Sequence, residues 1–350
     1  MDVNQEDERG STPLFYAIKQ ASSQAVRALL AKGADIHKPV NKISMFDDKI
    51  SGATEGLKYI HIAAMLGKTD VIMTLLEFGA IKDQKDIKGF SPIHYAAASG
   101  QLEAVEALLN SEVNIEEPNI DGVTPLLIAA KYGKLDLVNF LIDRGANIHH
   151  RDNNSSSLIH YAAQSNNAGL IEKVLELGFS IEDLDNSDKT PLMHAAISNN
   201  EISTQFLLSK GANKDYAEKN SAKAIHLAAA SGSIDALKIL IEAGDVNEAD
   251  KDGKTPLIYA VSALKDESVK FLLENGAAVD QTDKAGRSAI FYFDEDSADT
   301  VVITLLKYGA NPDLKDNDGY CKAFSEGFLE YFKSQAESHD LEVIGESTED

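Results

Sequence analysis

The stretch Gly122-Val123-Thr124-Pro125-Leu126-Leu127-Ile128-Ala129-Ala130-Lys131-Tyr132-Gly133, continuing to Phe140-Leu141-Ile142-Asp143-Arg144-Gly145-Ala146, decides the fold. It reads as helix, tight reversal, second helix and stop. Thr124 is a natural N-cap, because its hydroxyl can accept an orphan N–H of the first turn. Pro125 follows at the first helical position, where a missing donor costs nothing. Leu126, Ala129 and Ala130 share one face, and the alanines admit a close neighbour. Gly133 supplies the positive φ of the reversal. Leu137, Val138, Leu141 and Ile142 form a second apolar stripe, which Gly145 ends in a left-handed cap. Neither helix buries its apolar face alone.

The unit recurs. Positions equivalent to Leu126 are Leu14, Ile60, Ile93, Ile159, Leu192, Ile225, Leu257, Ile290 and, more weakly, Ala323, at intervals of 46, 33, 33, 33, 33, 33, 32, 33 and 33 residues. A stop glycine keeps step at Gly33, Gly79, Gly145, Gly178, Gly211, Gly244, Gly276 and Gly309, and Glu112 alone breaks the series. Ser91-Pro92-Ile93-His94-Tyr95-Ala96-Ala97, Thr190-Pro191-Leu192 and Lys223-Ala224-Ile225-His226-Leu227-Ala228-Ala229, with ends such as Gly33-Ala34-Asp35-Ile36, carry the period.

This pattern resembles the ankyrin-repeat family from about Thr12 to about Asp313. The resemblance implies an all-α solenoid of stacked helix-turn-helix units with connecting finger loops. Nine repeats are expected, as one elongated domain whose core extends in one dimension. Residues 1–11 read as a lead-in and 12–318 as the array. An insertion lies within 38–55, a capping helix over 319–333 and an acidic disordered tail over 334–350.

The chain has 350 residues and a formal net charge of −23. That balance argues against nucleic acid or an anionic membrane as ligand, since both require a basic footprint. Cys321 is the single cysteine, so neither an intramolecular disulfide nor a cysteine-based zinc site is available. The acidic start lacks a signal-peptide core, and no apolar run approaches a membrane span. A soluble, intracellular monomer is expected, in cytoplasm or nucleus, or in a host cytoplasm if the chain is exported.

Several local departures carry expectations. The insertion, with Met45, Phe46 and Ile50, reads either as a binding loop or as a tolerated loop folded onto repeats one and two. Asn166 replaces the turn glycine in repeat five and is expected to adopt the left-handed conformation. Phe293 and Asp294 replace the alanine pair of repeat nine, which should pack differently. Phe324, Phe328, Tyr331 and Phe332 make one apolar face suited to a cap. In the tail, Asp340-Leu341-Glu342-Val343-Ile344 resembles a motif that binds ubiquitin-like modifiers. The Glu/Ser/Thr-rich end also resembles a bacterial export signal or a plain solubilising tail.

His61, His94, His160 and His226 fall in register. A metal ladder needs imidazoles converging about 2 Å from one ion, whereas successive repeats lie several ångströms apart. The family resemblance makes each a structural hydrogen-bonder between repeats. No nucleophile elbow, phosphate loop or kinase signature is present. No catalytic residue, metal ligand or cofactor is therefore assigned.

The family's architecture points to binding by a concave face of fingers and inner helices. Mapped onto this chain, those positions include Leu57, Met65, Leu66, Ile87, Phe90, Ile120, Val123 and Tyr132, an apolar set with Phe90 and Tyr132 as anchors. The opposing reading tucks several of them between repeats. Lys189, Lys219, Lys251, Lys254, Lys284 and Arg287 form a basic set on later fingers, suited to an acidic partner or merely solvated. The expected function is a non-enzymatic scaffold or adaptor for a partner protein. The rivals are a secreted bacterial effector using the same face and an enzyme with a site in the insertion or cap.

Overall fold

The computed structural model describes residues 2–40, 56–293 and 299–321. Most of the insertion, the 294–298 stretch of repeat nine, nearly all of the expected cap and the whole tail lie outside the described residues. The chain forms two compact units, Met1–Asn186 and Ser187–Asp350.

In the first unit five helix pairs follow one another: α1 (Pro13–Lys19) with α2 (Ser23–Ala31), α3 (Tyr59–Met65) with α4 (Thr69–Glu77), α5 (Pro92–Ser99) with α6 (Leu102–Asn110), α7 (Pro125–Lys131) with α8 (Leu135–Asp143), and α9 (Leu158–Ala163) with α10 (Ala168–Glu176). The second unit holds α11 (Pro191–Ile197) with α12 (Glu201–Ser209), α13 (Ala224–Ser231) with α14 (Ile234–Glu242), and α15 (Pro256–Ser262) with α16 (Asp266–Glu274). A 3₁₀ turn (Ala289–Tyr292) with α17 (Asp299–Lys307) completes it. No β-strand occurs among the described residues; an isolated bridge joins Lys315 and Cys321. The repeat helices expected from the sequence are present, and the fold is all-α.

Helices this short are unstable alone and depend on tertiary packing. First helices therefore pack on first helices, α1 through α9 in one unit and α11, α13 and α15 in the other. Ala63-Ala64, Ala96-Ala97, Ala129-Ala130 and Ala162-Ala163 are fully buried along this seam, where small side chains let backbones approach. Leu126, Val138 and Leu141 are buried behind them, each contributing about 1.5–3 kcal/mol.

Two capping schemes start the first helices. Thr12, Thr124, Thr190 and Thr255 accept the N–H of the third helical residue, and that residue is then apolar: Phe15, Leu127, Met193 and Ile258. Where Lys58, Ser91, Ser157 or Lys223 stands at the cap, a histidine occupies the third position. Its Nδ1 accepts the cap's backbone N–H at 2.9, 3.1, 3.2 and 3.2 Å for His61, His94, His160 and His226.

The reversals differ from one expectation. Gly67, Gly100, Gly133 and Gly232 have positive φ, as do Ala21, Asn199 and Leu264 in the same register. Asn166 does not. In that repeat α9 is one residue shorter, the Ser165 hydroxyl donates to the Ala162 carbonyl at 2.6 Å, and Asn167 caps α10 by accepting the Leu170 N–H at 3.1 Å. At the helix stops Glu112 occupies the left-handed region with φ 61°, while Gly244, in the shortened repeat seven, lies outside it. Repeat nine departs as expected: its first helix is a 3₁₀ turn, and Phe293 is buried.

Candidate partner-binding surface

Among the described residues eight fingers are tight turns, each organised by one side chain. Asp86 Oδ1 accepts the backbone N–H of Lys88 at 2.9 Å and of Phe90 at 2.8 Å. Asp7, Asp152, Asp250, Asp283 and Asp316 repeat that pattern, with Asn119 and Glu218 as variants. The second carboxylate oxygen receives a tyrosine hydroxyl nine residues on. Tyr16–Asp7 and Tyr161–Asp152 are 2.7 Å, Tyr95–Asp86 2.6 Å and Tyr259–Asp250 2.9 Å; Tyr292 donates to Asp283 likewise. Burial and the neighbouring carboxylate push the Tyr95, Tyr161, Tyr259 and Tyr292 hydroxyls well above the usual tyrosine range. These donors therefore stay protonated. Sequence analysis does not single out this pairing, whose one signal is an aspartate and a tyrosine nine residues apart.

Main-chain bonds tie successive fingertips into a ladder. In the first unit Ile120 N donates to Lys88 O at 3.3 Å, Asn153 N to Asp121 O at 2.9 Å and Asn186 N to Asn154 O at 2.8 Å. In the second, Lys219 N donates to Ser187 O at 3.2 Å, Lys284 N to Asp252 O at 2.8 Å and Asn317 N to Ala285 O at 2.9 Å. The side chain at the tip then has two fates. Asn153, Asn186 and Asn317 use their amides to bridge back to the preceding tip, at 3.0, 3.3 and 2.8 Å. Ile87 and Ile120 have no polar group with which to do so, and they stand 62% and 63% exposed on adjacent tips.

The other expected apolar residues divide. Met65, Leu66, Phe90 and Tyr132 are half-buried. The Phe90 ring packs edge-on against His94 at 5.6 Å and tilted against Tyr95 at 6.1 Å. Burial raises the Tyr132 hydroxyl above its usual range. Leu57 and Val123 do not belong to a water-facing surface: they are 1% and 6% exposed. Both directly precede an N-cap, a position that folds back over the first helical turn as a staple. Leu57 also closes the root of the insertion, its carbonyl accepting the Val40 N–H at 2.9 Å.

The same rule sorts the basic set. Lys189, Lys254 and Arg287 precede N-caps and are half-buried. Lys254 Nζ and the Arg287 guanidinium lie 5.0 and 5.1 Å from the Tyr292 ring centre, and Arg287 also pairs with Asp283 at 3.0 Å. Lys219, Lys251 and Lys284 are exposed fingertips.

The histidines are structural donors. Nε2 of His61, His94 and His160 donates to the carbonyls of Gln84, Val123 and Asp183 at 2.7, 3.1 and 3.1 Å, and His226 reaches Glu248 and Lys254 at 3.0 and 3.1 Å. With Nδ1 already accepting, each ring is neutral. Burial lowers the pKa of His61 and His226, and that of His94 to about 4.

Ser157, His160 and Asp183 assemble a serine–histidine–carboxylate cluster, with Ser157 Oγ 3.0 Å from His160 Nδ1. Its geometry opposes nucleophilic chemistry. Ser157 and His160 are 1% and 0% exposed, the Ser157 hydroxyl donates to Asp183, and His160 Nδ1 is occupied by the Ser157 N–H. Burial works to raise the Asp183 pKa, but the bonds from Ser157 and Arg151 hold it below its usual value. Ser91 and His94 make the same contact at 2.9 Å without a carboxylate. The pair is a capping device.

Among the described residues no cluster of histidine, cysteine, aspartate or glutamate is arranged to hold a metal ion, and no helix is long and apolar enough to cross a membrane. A comparison with curated proteins returned no match. A family model for ankyrin repeats (3 copies) matches residues 42–119, 60–152, 126–218, 204–283 and 225–316, and one for a single ankyrin repeat matches 9–38. The 33-residue helix pairs, the aspartate-ordered fingers and these matches agree that the chain belongs to the ankyrin-repeat family, whose repeats generally mediate protein–protein interaction.

Proposed function

We propose that the chain is a protein-binding scaffold without chemistry of its own, and that its first unit docks a partner on the fingertips and first-helix ends of repeats three and four. The observation that carries this reading is the pair Ile87 and Ile120. Two large aliphatic side chains, each more than half exposed, sit at successive steps of one hydrogen-bonded ladder. Met65, Leu66, Phe90 and Tyr132, half-buried positions of repeats two to four, supply the floor of this surface in our reading. Rigid apolar projections over an ordered floor lose little entropy on binding. An interface of ordinary size buries about 1,600 Å² in total, which requires neighbouring fingers as well as these two.

A photo-crosslinking residue in place of Ile120 tests the assignment against one in place of Met73. Met73 is a 42% exposed apolar residue on α4, in the second helix of its repeat. A partner joined through position 120 and absent from position 73 supports the fingertip face. Equal crosslinking at both positions contradicts it.

A further inference from the structure

Between fingertips that are both described, the main-chain ladder is closed at every step but one. We propose that this step, between residues 218–222 before α13 and residues 250–254 before α15, is a joint. The two tips part and rejoin there while the helices beneath them stay packed.

Three observations converge on this place. The first is the bond itself. In the register by which Lys284 N donates to Asp252 O, Lys251 N would donate to the Asn220 carbonyl. Among the described residues neither group has a partner. The turn on each side is nonetheless formed, with Ser221 N donating to Glu218 O at 2.8 Å and Gly253 N to Asp250 O at 3.0 Å.

The second is Ser221. The corresponding residues of the next two tips are Gly253 and Gly286, where a Cβ would lie 2.8 Å from the amide nitrogens of Lys284 and Asn317. Ser221 brings a Cβ to that position, and its hydroxyl is buried without a partner. A buried hydroxyl left unpaired is costly, so a parted state in which water reaches Ser221 is favoured on that count. Ser155 and Asp188 stand in the same register, yet their steps are closed. A side chain there does not open a step by itself.

The third is length. Gly244 is six residues from Asp250, where Gly211 and Gly276 are seven from Glu218 and Asp283. The residue lost is the alanine after the stop, which is buried as Ala212 in the preceding repeat. The finger before α15 therefore has less chain with which to reach its neighbour. An open cleft of about 240 Å³ lies at its root, lined by Lys214, Asp215, Ile225, Leu240, Asp245 and Glu248.

Below the tips the step is held. Helix α13 packs on both α11 and α15, and Lys223 pairs with Glu248. Buried His226 donates through Nε2 to the Glu248 and Lys254 carbonyls at 3.0 and 3.1 Å. Movement is thereby confined to the tips, as a local opening where few bonds resist it.

The test is continuous-wave electron paramagnetic resonance of the full chain carrying Cys321→Ser. Nitroxides are placed at Asn220→Cys with Lys251→Cys, or at Asp252→Cys with Lys284→Cys across a closed step; all four positions are exposed. The expected result is two label separations at 220/251, one short and one longer, against a single short separation at 252/284. Ser221→Gly combined with an alanine inserted after Gly244 should remove the longer one. A single separation at 220/251, short or long, would overturn the proposal, because the step is then closed or fixed open. That comparison stands whether or not the inserted chain folds. A folded insertion variant that kept both separations would overturn it equally.

Discussion

The Tyr95 hydroxyl donates to Asp86 Oδ2 at 2.6 Å, while Asp86 Oδ1 holds the backbone of its own finger at Lys88 and Phe90. One carboxylate thus locks the finger to the first helix of its repeat. Asp7, Asp86, Asp152, Asp250 and Asp283 each have a tyrosine nine residues later, whereas Asn119 and Glu218 face Ile128 and Leu227, and Asp185 faces His194.

Tyr95→Phe should therefore destabilise the first unit by about 1–3 kcal/mol, because it leaves a buried carboxylate oxygen without its donor. Tyr132→Phe, in a side chain with no such bond, should cost less than about 0.5 kcal/mol. Urea unfolding of the two variants side by side makes the comparison; equal midpoints would show that the pair contributes nothing.

The neutral histidines predict acid sensitivity. His94 has a folded pKa of about 4, below the ordinary histidine value of 6.5, so the unfolded chain takes up its proton first. Stability is full above about pH 6.5, and it is lost as pH falls from there toward 4. His94 alone accounts for roughly 3 kcal/mol over that range, and His61 and His226 act in the same direction. Unfolding midpoints measured across this range should fall steeply for the wild type and less steeply for His94→Gln. Parallel profiles would contradict the assignment.

Glu112 is strained. It holds φ 61° at a stop where Gly33, Gly79, Gly145, Gly178, Gly211, Gly276 and Gly309 also have positive φ. Its side chain is 93% exposed and reaches Lys82 only at 3.9 Å. Glu112→Gly should therefore stabilise the first unit by about 1 kcal/mol, read as a higher urea midpoint.

What could be read from the sequence follows from which forces are local. Thr124-Pro125 and Gly145 announce their helix ends through backbone geometry alone, so period, pairing and family were legible. Ile87, Ile120 and the fingertip lysines were legible as finger residues for the same reason. Leu57 and Val123 misled, because facing water or folding back over a helix start is decided by the residue's place relative to the N-cap. The Asp86–Tyr95 bond left only its nine-residue spacing as a signal, because a buried, paired aspartate and a solvated one look alike in a chain this acidic. Asn166 failed because tolerance of left-handed φ permits that conformation without requiring it, and the Ser165 hydroxyl offered another way to turn.

The exposed isoleucines of repeats three and four are the docking surface that we propose. Affinity capture with wild type beside Ile87→Asp with Ile120→Asp, at matched unfolding midpoints, tests it most directly. Both side chains are already exposed, so the variant should stay within about 0.5 kcal/mol of the wild type. A protein retained by the wild type and lost from the folded variant is the predicted result. The same proteins retained by both would contradict the claim.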